Sequence, residues 1–99
     1  MWIKKANTAL QDTNVLINLE TGSKISLFKG EYVEKLNTKN EVVYERNYGV
    51  VLYTYGFNAE GDACQVDEYI LPVKYSRAYA NSVIEKLAKK LGAVKLSEE

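Results

Sequence analysis

Residues 64–91, CQVDEYILPVKYSRAYANSVIEKLAKKL, contain the change of period that decides the fold. Up to Leu71, the residues Cys64, Val66, Glu68 and Ile70 alternate with Gln65, Asp67, Tyr69 and Leu71, the period of a strand. Pro72, the one proline of the chain, comes next. Beyond it Ala80, Val83, Ile84, Leu87, Ala88 and Leu91 recur at spacings of three and one, which places them on one helical face. Ser76 can cap that helix, because its hydroxyl can accept from a first-turn N–H that has no other partner. Arg77, Asn81, Glu85, Lys86, Lys89 and Lys90 take the opposite face. Glu85 precedes Lys89 in the favourable four-residue order, and the lysines cluster where the helix dipole is negative. Gly92 is placed to end the helix in the left-handed conformation. The pattern predicts a helix over about 76–91 and a short tail over 96–99.

Upstream, about residues 2–71, the reading is of strands. Trp2 and Ile3 open a short one. Val15 to Leu19 follow, with Val15, Ile17 and Leu19 sharing a face. Thr21, Gly22 and Ser23 turn the chain, and Lys24 to Phe28 alternate with Ile25 and Leu27 inward. A turn at Lys29 and Gly30 leads to a strand over Tyr32 to Leu36. Asn37 to Asn40 form a polar turn, and Val42, Val43 and Tyr44 a further strand. Tyr48 to Phe57 are rich in β-branched and aromatic residues, with Gly49 and Gly56 suited to bulges or bends. Asn58 to Asp62 form a loop before the strand from Cys64 to Leu71.

Six to seven short strands and one amphipathic C-terminal helix predict a single α+β domain over 1–99. A twisted antiparallel sheet of this size tends to curl. The expectation is therefore a roll or partial barrel, with a flat meander crossed by the helix as the alternative. Trp2 near the start, the run Val15, Leu16, Ile17, Asn18, Leu19, Glu20, and then Ile25 resemble a pattern in small uncharacterised bacterial and phage proteins of PH-like fold. The resemblance implies a PH-like roll and no activity, and it brings no functional residues with it.

The chain has 99 residues, with 13 Lys plus Arg against 13 Asp plus Glu, so its formal net charge is zero. Phosphate neutralisation drives duplex binding, and the lack of a basic surplus disfavours nucleic acid. It disfavours a membrane surface as well. Weak self-repulsion leaves a homo-oligomer open. There is one cysteine, Cys64, and no histidine, so an intrachain disulfide is excluded and the commonest general base and transition-metal ligand are missing. No apolar run reaches the roughly 20 residues of a membrane span, and the residues from Met1 to Ala6 do not read as a secretory signal. A cytoplasmic setting is the expectation.

Few groupings of residues suggest chemistry. Asn58, Glu60 and Asp62 alternate as calcium-loop ligands do, but Ala63 stands where the sharp-turn glycine belongs and Tyr69 where the bidentate glutamate belongs. A solvated hairpin loop is the plainer reading. Cys64 has no His or second Cys to activate or resolve it, so it reads as a small buried apolar residue. Glycine-rich phosphate loops are absent, and the helix lysines read as a solvated face. No catalytic residue, metal ligand or cofactor is assigned.

The eight tyrosines are the unusual feature. Tyrosine gives stiff, amphipathic contact area at binding surfaces, although strand propensity and cross-strand packing also favour it. A core this small cannot bury all eight. The candidate binding residues are Tyr48, Tyr53 and Tyr55, with Arg46 nearby. The reading is a small non-catalytic module, of phage or mobile-element origin, that docks on a larger protein. The alternatives are a self-assembling structural protein and a binder of a small ligand or of single-stranded nucleic acid.

Overall fold

The structure, a computed structural model, describes residues 1–5 and 14–95, so the expected tail over 96–99 lies outside the described residues. The chain runs through β1 (Trp2–Lys5), β2 (Val15–Asn18), β3 (Lys24–Leu36), β4 (Val42–Phe57), β5 (Ala63–Tyr75), α1 (Arg77–Leu91) and β6 (Val94–Lys95). All six strands form one sheet in the order β5-β4-β3-β2-β1-β6. Sequential strands pair antiparallel, and β6 returns to pair parallel with β1, Ile3 opposite Val94. The sheet is mixed, with β5 and β6 as its two edges, and it does not close into a barrel. Its antiparallel part is the meander that the sequence reading held as the alternative.

The topology requires α1 to travel from one edge of the sheet to the other. A helix of 15 residues is about 22 Å long, and the distance across six strands is about 24 Å. Ser76 caps the helix by accepting the N–H of Tyr79 at 3.2 Å. At the other end Gly92, at φ +64, closes it. The N–H of Gly92 donates to the carbonyl of Lys89, and that of Ala93 to the carbonyl of Ala88. These two bonds satisfy carbonyls left over at the helix end.

Ala80, Ile84 and Ala88 of the predicted face are buried, and Val83 and Leu87 pack partly against the same core. Leu91 is exposed instead. Across from the helix stand Leu16, Ile25, Leu27 and Val50, with Trp2, Tyr48, Leu52 and Leu71 at the margin. Leu16 is fully buried and its neighbour Val15 nearly so, while Leu19, grouped with Val15 in the sequence reading, is exposed. β2 ends at Asn18, so Leu19 lies in the turn that follows and leaves the strand face.

The turn expected at Lys29 and Gly30 is a bulge. Lys29 pairs with Tyr48 and Tyr32 with Arg46, so β3 carries one extra residue and runs on as a single strand. A Cβ on Gly30 would lie 2.7 Å from Val73 Cγ1 and 2.9 Å from the Asn47 carbonyl oxygen, which explains a glycine there. The strands predicted over 42–44 and 48–57 are likewise one, β4. Pro72 does not end β5. It lies in an irregular stretch between Leu71, opposite Val50, and Tyr75, opposite Tyr48. On an edge strand a missing N–H need not break the ladder. A further irregularity at Ile70 brings Leu71 onto the helix side with Val50.

Candidate docking face and a cationic cleft

The extra residues lie on β3 and β5, so β4 keeps an unbroken alternation. Its even positions Tyr48, Val50 and Leu52 face α1. Its odd positions Val51, Tyr53, Tyr55 and Phe57 face the other way. Phe28 of β3 and Tyr69 of β5 join them, their rings meeting edge to face with centroids 5.8 Å apart. Val51, cross-strand partner of Tyr69, is 1% exposed. Beyond it the row opens to solvent: Tyr55 is 53% and Phe57 79% exposed.

Tyr53 is half-buried in this row. Its neighbours across the strands are Lys24 and Asp67. The Lys24 ammonium lies 5.0 Å from the centre of the Tyr53 ring, a favourable cation–π distance. Burial, and then the charges of Asp67, Tyr69 and Tyr55, push the Tyr53 phenol above its ordinary 10.0. It therefore stays neutral near neutral pH and presents an amphipathic surface. Asp67 accepts a hydrogen bond from the Gln65 amide at 2.9 Å.

The structure divides the residues singled out from the sequence. Tyr53 and Tyr55 share the face away from the helix. Tyr48 is half-buried against the core on the helix side. Arg46 is on the part of β4 that pairs only with β3, its guanidinium carbon 4.1 Å from the centre of the Tyr32 ring. Six of the eight tyrosines are exposed: Tyr32, Tyr44, Tyr55, Tyr69, Tyr75 and Tyr79. Phe57 was within reach of the sequence, being two positions from Tyr55. Phe28 and Tyr69 were not, because their membership depends on the register across three strands.

Asn58 Oδ1 accepts the N–H groups of Glu60 and Asp62, both at 3.0 Å, so the candidate calcium ligand builds the turn. Among the described residues no group of three or more acidic or thiol side chains is close enough to hold a metal. Cys64 is half-buried rather than buried, opposite Gly56 near the hairpin end.

A second concavity lies where the β3–β4 hairpin passes the start of α1. It is a cleft of about 390 Å³ lined by Lys35, Glu45, Arg46, Asn47, Lys74, Ser76 and Arg77. Lys35 pairs with Glu45 at 2.9 Å. Sequence reasoning missed this grouping, because its cations come from β3, β4, β5 and α1 and share no local spacing.

Comparison with known proteins gives no match for this chain among protein-family models, curated proteins or solved structures.

Proposed function

We propose that this chain is a non-catalytic binding module that docks on a larger protein through the helix-free face of its sheet. The observation supporting this is the aromatic row formed by Phe28, Tyr53, Tyr55, Phe57 and Tyr69, open to solvent over its outer half. From Gly49, opposite Phe28, to Phe57 it follows β4 for about 26 Å. Large, stiff aromatic groups that lose little entropy on binding dominate the centres of protein interfaces.

Charge favours a protein over a nucleic acid as the occupant. The row is accompanied by Lys24 and Asp67, which offset each other, whereas a strand-tracking groove is basic along its length. Edge geometry disfavours a second copy paired strand to strand. The exposed edge β5 carries Asp67, Glu68, Pro72, Lys74 and two irregularities, devices that block edge-to-edge pairing. The opposite edge, β6, covers Val94–Lys95 among the described residues.

The test replaces Tyr53 and Tyr55 together with Ser. The partner should be lost while circular dichroism and the urea midpoint still report a folded domain. Unchanged partner affinity in a folded double variant overturns the reading.

A further inference from the structure

We propose that the open edge of β4 over residues 42–46 takes an extended segment of a partner protein as an added strand, apolar toward the helix side and polar toward the other. β5 pairs with β4 from Phe57 back to Tyr48, where Tyr75 ends the strand and Ser76 caps the helix. β4 runs on to Val42 with β3 as its one neighbour among the described residues. Alternate backbone N–H and C=O groups of that stretch therefore point at no strand. Their geometry fits one class of occupant, another extended backbone.

The stretch carries none of the devices that guard β5. Residues 42–46 hold no proline or glycine, and their pairing with residues 32–36 is unshifted. A ribbon of two strands is marginal in water, and a third strand with a shared apolar face stabilises it. The apolar face is present. Tyr32, Leu36, Val42 and Tyr44 lie on one side of the ribbon, outside the core, and all four are exposed. At its inner end the edge meets the cleft beside Lys74 and Ser76, so no packed side chain stops an added strand there.

Charge narrows the occupant. Glu41 precedes the strand, and Glu45 lies on its side away from the helix. A two-fold antiparallel pair of two copies, with both helices on one side, centres on Val43, Tyr44 or Glu45. Each of these registers sets Glu45 opposite or diagonal to a glutamate of the other copy, and like charges so placed destabilise a pair. A segment of a different protein avoids this with a neutral residue opposite Glu45. A basic residue suits its outer end beside Glu41, whereas Lys74 disfavours one at the inner end. Continuing the line of β5 makes the segment antiparallel to β4, with its C-terminal end at Glu41.

The probe is the capped peptide Val-Thr-Val-Thr-Val-Lys, titrated into the full chain and followed by backbone amide shifts and amide exchange. The expected result is a saturable shift centred on residues 41–47, with slowed exchange at alternate amides of 42–46. Two versions N-methylated at alternate residues separate strand addition from apolar adsorption. The version whose methyl groups meet β4 loses binding, and the other keeps it. Glutamate in place of both threonines of the peptide weakens binding about threefold or more. Tyr44→Thr, which keeps a strand-forming residue at an exposed position, weakens it about threefold. Glu41→Lys weakens it as well and favours a peptide ending in Glu. Equal binding by the two N-methylated peptides, unchanged exchange over 42–46, or shifts centred on 53–57 overturns the proposal. So does a dimer of the chain alone that protects the same amides, which gives the edge to a second copy. The aromatic row occupies the other end of β4, so failure here leaves the docking face untouched, and the Tyr53 and Tyr55 double variant still binds the peptide.

Discussion

Gly49, Gly56 and Gly61 are under different constraints, and alanine at each isolates one of them. At Gly49 an added Cβ would meet the Leu71 carbonyl oxygen at 2.6 Å and the Pro72 backbone at 3.1 Å. Backbone cannot swing aside as a side-chain tip can, so Gly49→Ala should cost about 2–3 kcal/mol. Gly61 is at φ +84 with nothing near the added methyl, and Gly61→Ala should cost about 1–2 kcal/mol from backbone strain alone. Gly56 has neither a positive φ nor a neighbour within 4 Å. Gly56→Ala should therefore raise stability by about 0.4–1 kcal/mol, through the less flexible unfolded chain. Urea midpoints of the three variants check that order, and an equal loss at all three would contradict it. The sequence marked Gly49 and Gly56 together as bulge or bend positions. What separates them is the path of β5, which no local pattern records.

Hairpin turns were more legible, because their chemistry is local. Asn37 and Asn58 each begin a five-residue turn of the same design. Each side-chain oxygen accepts two backbone N–H groups, those of Lys39 and Glu41 at 2.8 and 2.9 Å, and those of Glu60 and Asp62 at 3.0 Å. Each turn has a left-handed residue at its fourth position, Asn40 at φ 60 and Gly61 at φ 84. The repeat of Asn at these two places was visible in the sequence, and it marks turns rather than ligands.

At the scale of elements, α1 was the most legible because its cap, its period and its terminating glycine all agree. Its packing rests on Ile84, which is fully buried against the sheet between the small residues Ala80 and Ala88. Ile84→Ala should cost about 3 kcal/mol by thermal or urea unfolding. The helix is also tied to the N-terminal strand. The Lys4 ammonium pairs with the Glu85 carboxylate, which also receives the Asn14 amide at 3.4 Å. The hydrogen bond from Lys4 is the main reason the Glu85 carboxyl titrates below its ordinary 4.5, burial opposing it in part. A carboxyl depressed in the folded state contributes stability above its unfolded pKa. That contribution fades as pH falls from about 4.5 through the lower folded value. Glu85→Gln should therefore be less stable than the parent at pH 7 and converge with it in acid. A gap that stays constant down to pH 3 would contradict the pairing. This tie joins residues 81 positions apart, so no local pattern marks it. The strands were legible in kind but not in length, because a bulge and a turn share the same glycine signal at Gly30.

For the whole molecule, size and surface carry the argument. Its radius of gyration is 16.2 Å, against about 12.6 Å for a compact chain of this length. Its accessible surface is 7221 Å², against roughly 5,700 Å² expected for its mass. The long dimension of 53 Å matches the reach of the 16-residue β4, about 53 Å. β4 extends past β5 at one end and past β3 at the other, which leaves Leu36, Val42 and Tyr44 exposed on one hairpin and Tyr55 and Phe57 on the other. Because β5 is guarded against strand pairing, the chain should sediment as an 11.2 kDa monomer at micromolar concentration in spite of this uncovered apolar surface. A stable dimer would shift the docking face to a second copy of the chain. The tyrosine count anticipated an exposed aromatic surface. Its location depends on how β3, β4 and β5 are staggered.

The most direct test of the docking face is site-specific photo-crosslinking in the native source. A benzophenone side chain is placed at Tyr55 in one variant and at Lys89, on the outer side of α1, in another. A single defined protein adduct from position 55, with none from position 89, is the predicted result. An adduct from position 89 alone, or equal adducts from both, would contradict the assignment of the aromatic face.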